Sequence, residues 1–195
     1  MVKKQGYATL RELHQAHHKS CAIGLKKTAT RPVFGDGNPK ADIVFIGEAP
    51  GKKEDETGVP FVGAAGKFLA EMLASIKLKR EDIYITNIVK YRPPENRDPT
   101  PKEKTACAPW LYDELNFIQP KLIIFLGRHS MNNFFPDLKI ADAHGILIHK
   151  KLPHITTEYF LPLYHPAAAL YNGGMRETLL KDFKKIPLIL KRLER

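Results

Sequence analysis

Apolar residues fall into short runs separated by amphipathic stretches, and this alternation predicts the elements of the fold. Residues 41–46 and 83–89 read as buried strands, and residues 122–126 form a third run that is wholly apolar. Between the first two, residues 64–76 carry Leu69, Met72, Leu73 and Ile76 at helical spacing, and residues 101–117 read as a further helix. Gly127-Arg128-His129-Ser130 opens another helix, and residues 145–148 and 159–163 offer two more strands near an edge. At the start, residues 9–18 place Leu10 and Leu13 on one helical face. At the end, residues 175–193 carry a stripe of Leu179, Leu180, Phe183 and Ile186, with Pro187 expected to kink or restart that helix. Strands alternating with helices imply right-handed crossovers. The predicted architecture is a three-layer α/β/α sandwich with a central, mostly parallel four-stranded sheet. It forms a single domain over residues 1–195, with residues 1–35 as an amino-terminal helical lead-in.

With 195 residues and 43% hydrophobic content, the chain can bury a substantial core without staples. Its 31 Lys and Arg against 21 Asp and Glu give a net charge of +10, which favours a polyanionic partner without requiring one. No apolar run approaches the roughly 20 residues that span a bilayer, and the first residues lack a secretory core. The expectation is a cytoplasmic monomer with no membrane partner. Cys21 and Cys107 carry no disulfide signature and are expected to be reduced.

In parallel α/β sheets the loops past the strands' carboxyl ends line the ligand crevice. Four features fall there: Glu48 in the glycine- and proline-rich turn 47–63, Asn87, Gly127, and His165 at the head of residues 165–170. A carboxylate, an amide and an imidazole suit acid-base work, base-edge recognition and oxyanion stabilisation respectively. Each also has a plainer reading. Glu48 could satisfy backbone amides, Asn87 could close a strand, Phe61 could be core, and His165-Pro166 could be a turn.

Taken jointly and in order, the motifs resemble the family 4 uracil-DNA glycosylases. The matching stretches are Gly47-Glu48-Ala49-Pro50-Gly51 with Glu54-Asp55, residues 58–66, residues 84–97, and Tyr164-His165-Pro166-Ala167-Ala168-Ala169-Leu170. The resemblance covers about residue 21 to the carboxyl terminus. It implies that Glu48 orders or activates the hydrolytic water, that Ala49 helps hold a uracil carbonyl, and that Phe61 stacks on the extruded base. It further implies that Asn87 reads the uracil edge and His165 stabilises the departing base. The partner so implied is uracil-containing DNA, from which the nucleotide must be flipped. Ala169, Leu170 and Tyr171 would then wedge into the vacated stack, and Lys67, Lys90, Arg92, Arg97 and Arg176 offer phosphate contacts.

The family pattern also implies a 4Fe-4S cluster on four cysteines, but here those positions read His18, Cys21, Tyr91 and Cys107. Two thiolates are missing, and tyrosine substitutes poorly for one. A zinc site on His18, Cys21, Cys107 and either His14 or His17 is a further option, although this spacing is not a zinc signature. The expectation is no metal and no cofactor, with Tyr91 filling the vacated volume and its hydroxyl reaching water or His18. No basic insertion follows Arg92-Pro93-Pro94, so the covalent trapping implied by a sister group is not expected. Two other readings stand beside hydrolysis. One is a superfamily member that binds DNA but has altered or lost catalysis. The other is a nucleotide- or phosphate-binding flavodoxin-like module using the loop from Gly47 to Gly66, which the missing Lys-Ser/Thr phosphate-loop spacing disfavours.

Overall fold

The computed structural model describes residues 7–21 and 23–193. In chain order its elements are α1 (Leu10–Ser20), β1 (Asp36–Gly37), β2 (Ile43–Gly47), α2 (Lys52–Thr57), α3 (Ala64–Ser75), β3 (Tyr84–Asn87) and α4 (Pro101–Ile118). They continue with β4 (Leu122–Leu126), α5 (Arg128–Asn132), α6 (Ile140–Ala143), β5 (Ile148–His149), β6 (Tyr159–Leu163), α7 (Ala168–Tyr171), α8 (Gly173–Phe183) and α9 (Ile186–Leu193).

The sheet order is β1-β3-β2-β4-β6-β5. Its four central strands are parallel, as the apolar runs predict, and β1 and β5 add two-residue antiparallel edges. The expectation of four strands therefore holds for the centre and misses the edges. A two-residue strand has no periodicity to detect, and the expected strand over 145–148 is reduced to Ile148–His149 for the same reason.

Side chains alternate across the sheet with period two, which splits the core. Val44, Ile46, Ile123, Phe125 and Phe160 pack on one face with Cys107, Leu111 and Leu115 of α4 and Met131 of α5. Ile43, Phe45, Ile85, Ile124 and Leu161 face the other way, onto Leu69, Met72 and Leu73 of α3, Leu179 and Phe183 of α8, and Ile186 of α9. The result is the three-layer α/β/α sandwich. The tail breaks at Lys184 and Lys185, before Pro187, which sits in the first turn of α9 where its missing N–H costs nothing. Thr100 and Glu103 form a reciprocal cap that fixes the start of α4. No helix among the described residues is long and apolar enough to cross a membrane.

Candidate active site

Sheet register brings the functional positions together. Gly47 pairs with Asn87 across β2 and β3, so Glu48 and Asn87 leave adjacent strand ends. Leu126 pairs with Leu163, which places Gly127 beside the segment leading to His165. These ends open on a cavity of about 520 Å³ lined by Glu48, Ala49, Glu54, Phe61, Asn87, Arg97, Asp98, His165 and Tyr171 among others. A larger cavity of about 730 Å³ lies by β1, but it offers no comparable chemistry. Its carboxylates Asp36 and Asp42 are already paired with Arg80 and Lys121.

The turn after β2 is held by its own side chains. Glu54 Oε1 accepts from the amides of Val62 at 2.9 Å and Gly63 at 2.8 Å, while Asp55 accepts from Thr30 N–H at 2.9 Å. Phe61 takes a left-handed φ of 53°, a strained conformation for an aromatic residue. The Arg80 guanidinium fastens it by donating to the carbonyls of Pro60 and Phe61. Only glycine fits at two points around this ring. A Cβ on Gly66 would lie 2.0 Å from the Phe61 carbonyl oxygen, and one on Gly47 would lie 2.4 Å from Asn87 Oδ1 and 2.6 Å from Phe61 Cζ. Gly47→Ala is therefore expected to push both groups out of place. A urea melt should register a loss of about 1–3 kcal/mol from overpacking, alongside at least tenfold weaker activity. An unchanged melt would mean that the cavity wall yields freely.

Asn87 is buried at 2% exposure, and its Oδ1 has no hydrogen-bond partner. Glu48 Oε1 is likewise buried and unpartnered. Two unpaired acceptors at the wall of one cavity are the pattern of a site awaiting a ligand rather than of a satisfied core. Burial, reinforced by the Asp98 carboxylate, raises the Glu48 carboxyl to about 7. His165 is half-buried, its ring 5.9 Å from that of Phe61. Its Nδ1 accepts from Ala167 N–H at 3.1 Å, so the neutral ring carries its proton on Nε2. Burial first, then the neighbouring His129, pushes this imidazole down to about 4.

Sequence reasoning did not single out His129 or Asp98. His129 Nδ1 lies 3.6 Å from Glu48 Oε1, and its Nε2 lies 3.1 Å from Asp98 Oδ2. The available signal was position, because His129 lies two residues past Gly127, just beyond the carboxyl end of β4, where the ligand crevice is expected.

The expected DNA contacts separate into two groups. Lys67 and Arg97 are exposed, and Arg92 is half-buried with its Nε donating to Asn96. Arg97 forms a two-pronged pair with Glu103, and Arg176 pairs with Glu71. Leu170 and Tyr171 are exposed at 46% and 90% on the short helix α7, with Ala169 packed partly beneath. Lys90 requires correction: it is 2% exposed, and its Nζ donates to Glu114 at 2.7 Å, to Asn87 O at 2.9 Å and to Thr86. A fully buried carboxylate on α4 claims this charge, so Lys90 cannot reach a phosphate.

The four positions that would hold an iron-sulfur cluster do not fit one. Cys21 and Cys107 are buried with their sulfurs 4.0 Å apart, but Tyr91 supplies a hydroxyl that burial pushes up to about 12. That hydroxyl is bonded to His18 Nδ1 at 3.0 Å, so neither residue faces the thiols as a free ligand. A cube needs four anionic donors, and two are available. His17, not His18, lies beside the cysteines, because His17 shares the inward face of α1 with Leu13, in line with Cys21 at the helix's carboxyl cap.

Comparison with known proteins agrees with this geometry. The sequence model of the Uracil DNA glycosylase superfamily matches residues 34–189. A type-4 uracil-DNA glycosylase of Archaeoglobus fulgidus is 48% identical over 166 residues, covering 83% of each chain. One from Sulfurisphaera tokodaii is 46% identical over 177 residues, covering 86% of this chain and 78% of the relative. One from Thermotoga maritima is 38% identical over 189 residues, covering 94% and 96%. A solution structure from Methanosarcina acetivorans shares the fold at a TM-score of 0.50 and 12% identity, covering 85% of this chain and 99% of that one.

Proposed function

The chain belongs to the uracil-DNA glycosylase superfamily, and we propose that it hydrolyses the bond between uracil and deoxyribose in DNA, leaving an abasic site. The observation that carries this reading is a single cavity in which Glu48, Asn87, Phe61 and His165 converge, with two buried acceptors left unpaired. Cleavage of an N-glycosidic bond builds positive charge on the sugar and negative charge on the leaving base. A neutral His165 with its proton on Nε2 is a donor toward the base oxygen that gains charge, and it donates without having to lose a full positive charge of its own. Asn87 can accept from an imide N–H and donate to the adjacent carbonyl, while Phe61 replaces part of the stacking lost on flipping. Glu48 in its ionised form orders water against the sugar carbon, with His129 Nδ1 3.6 Å from its Oε1. No step requires a metal or a covalent intermediate. In this reading the protein acts as a monomeric, single-domain cytoplasmic enzyme, with Leu170 and Tyr171 entering the vacated stack.

The direct test is incubation with an oligonucleotide carrying one uracil, followed by alkali. Scission at the uracil supports the proposal. Binding without scission would move the assignment to a DNA-binding member that has lost catalysis.

The acid-base assignment predicts a pH profile. With Glu48 near 7 and His165 near 4, single-turnover rates should rise tenfold per pH unit up to about 7 and then level, with no second limb from His165 above pH 5. The linkage also fixes a sign. A carboxyl raised above its ordinary 4.5 stabilises the fold at low pH and loses that contribution as pH rises through about 7. Glu48→Gln should therefore be more stable than the parent at pH 8, by about 1–2 kcal/mol after allowing for partial solvent access, and equal to it near pH 4. Denaturant melts at the two pH values check this, and an identical gap at both would contradict the raised carboxyl.

A further inference from the structure

Leu13 and His17 on α1 and Cys21, which caps its carboxyl end, recur every four residues, so all three turn inward, and each is at most 4% exposed. Cys107, 1% exposed, meets them from α4. One imidazole nitrogen and the two sulfurs all lie within 4.8 Å of one another. Neither ring nitrogen of His17 has a hydrogen-bond partner, although the ring is 1% exposed. Its surroundings are otherwise aromatic: Trp110 and Phe34 meet it edge-on at 5.2 and 5.6 Å, and Tyr91 lies 6.1 Å away. A buried imidazole with no oxygen or nitrogen partner, whose neighbouring polar group is the Cys21 thiol, is a rare arrangement, because buried polar groups ordinarily find partners. The sulfurs are the only soft donors beside it among the described residues.

We propose that His17, Cys21 and Cys107 bind a single thiophilic divalent cation, with Zn2+ the fitting ion. Zinc–sulfur bonds of about 2.3 Å in a tetrahedron set sulfurs about 3.8 Å apart. The two sulfurs stand 4.0 Å apart, so little movement is needed. The terminal sulfurs of a four-iron cube surround the whole cube and stand much further apart. Two thiolates cancel the charge of one divalent ion, which makes the assembly neutral and tolerable in a dry interior. The imidazole completes a Cys2His set of three protein ligands. Such an ion would clamp the carboxyl end of α1 to α4, tying the amino-terminal lead-in to the sandwich. The proposal stands independently of the glycosylase reading.

The test uses the full chain, reduced and freed of metal with chelator, desalted without oxygen and titrated with Co2+ as an optical substitute for Zn2+. One equivalent should produce a thiolate-to-cobalt charge-transfer band and tetrahedral ligand-field bands, both abolished by added Zn2+, and should raise the melting temperature. His17→Ala and Cys107→Ser should each weaken binding by at least about a hundredfold, whereas His18→Ala and Tyr91→Phe should keep the spectrum. The wild-type titration reads the site even if a variant folds poorly. Absence of a band in the wild type, a band that survives His17→Ala, iron with acid-labile sulfide in protein purified without oxygen, or a Cys21–Cys107 disulfide that excludes cobalt would each overturn the proposal.

Discussion

Asn87→Ala and His165→Ala are each expected to slow uracil excision by about a hundredfold or more, equivalent to roughly 3 kcal/mol of transition-state stabilisation. The two losses should differ in kind. In the proposed mechanism Asn87 meets the base in the ground state as well as in the transition state, so its removal should weaken substrate binding along with turnover. The role proposed for His165 is to donate toward charge that exists only as the bond breaks, so its loss should fall on kcat with KM little changed. Single-turnover rates across a range of enzyme concentrations separate the two. Turnover within threefold of the parent in both variants would remove the cavity from the mechanism. If both side chains act on the same departing base, as proposed, the double variant should lose less than the product of the two single effects.

The second large effect lies beneath the site. Glu114 is fully buried, and its carboxylate accepts from Tyr84 at 2.7 Å, Thr86 at 3.0 Å and Lys90 at 2.7 Å, with His14 Nε2 at 3.2 Å. Burial alone would raise its pKa, but the Lys90 ammonium and His14 hold it well below the ordinary carboxylate range. Lys90→Met leaves that charge without its main partner and is expected to cost about 3–5 kcal/mol. Replacing both residues with apolar ones of similar volume should cost much less, because the desolvated charges leave together. Thermal melts of the single and double variants distinguish these outcomes. Equal losses in the two would show that packing, not charge, governs the region. Lys90 Nζ also donates to the Asn87 carbonyl, so the single variant should lose some activity even below its melting temperature. Its salt dependence of DNA binding should stay unchanged, as befits a lysine that never reaches solvent.

The central strands and their crossovers were legible because each is a short apolar run bounded by turn formers, and burial on both faces leaves no other pattern available. The candidate site was legible for a related reason. Strand ends at residues 47, 87, 126 and 163 carry polar residues into loops, where an amide or a carboxylate is conspicuous beside apolar sequence. What stayed hidden was pairing across long separations. Nothing local distinguishes Lys90 from Arg92, and Glu114 resembles any acidic residue on a helix until the sheet is laid against α4. His17 and His18 are indistinguishable in composition and differ only in helical phase, about 100° apart around α1, and nothing in the sequence says which of the two directions meets α4. The edge strands β1 and β5 are too short to carry a period at all.

Arg97 and Arg176 each sit on the proposed DNA face with a carboxylate already in place, Glu103 for one and Glu71 for the other. The first of these pairs holds Glu103 down to about 2. A phosphate that displaces such a resident acid repels it instead of inheriting a bare cation, so part of the attraction is spent on rearranging fixed charges. Added electrolyte weakens the internal pairs as well as the external ones. The affinity of this +10 chain should therefore decline less steeply with ionic strength than its tally of basic side chains implies, keeping its grip on nucleic acid in brines that would strip a protein with unengaged arginines.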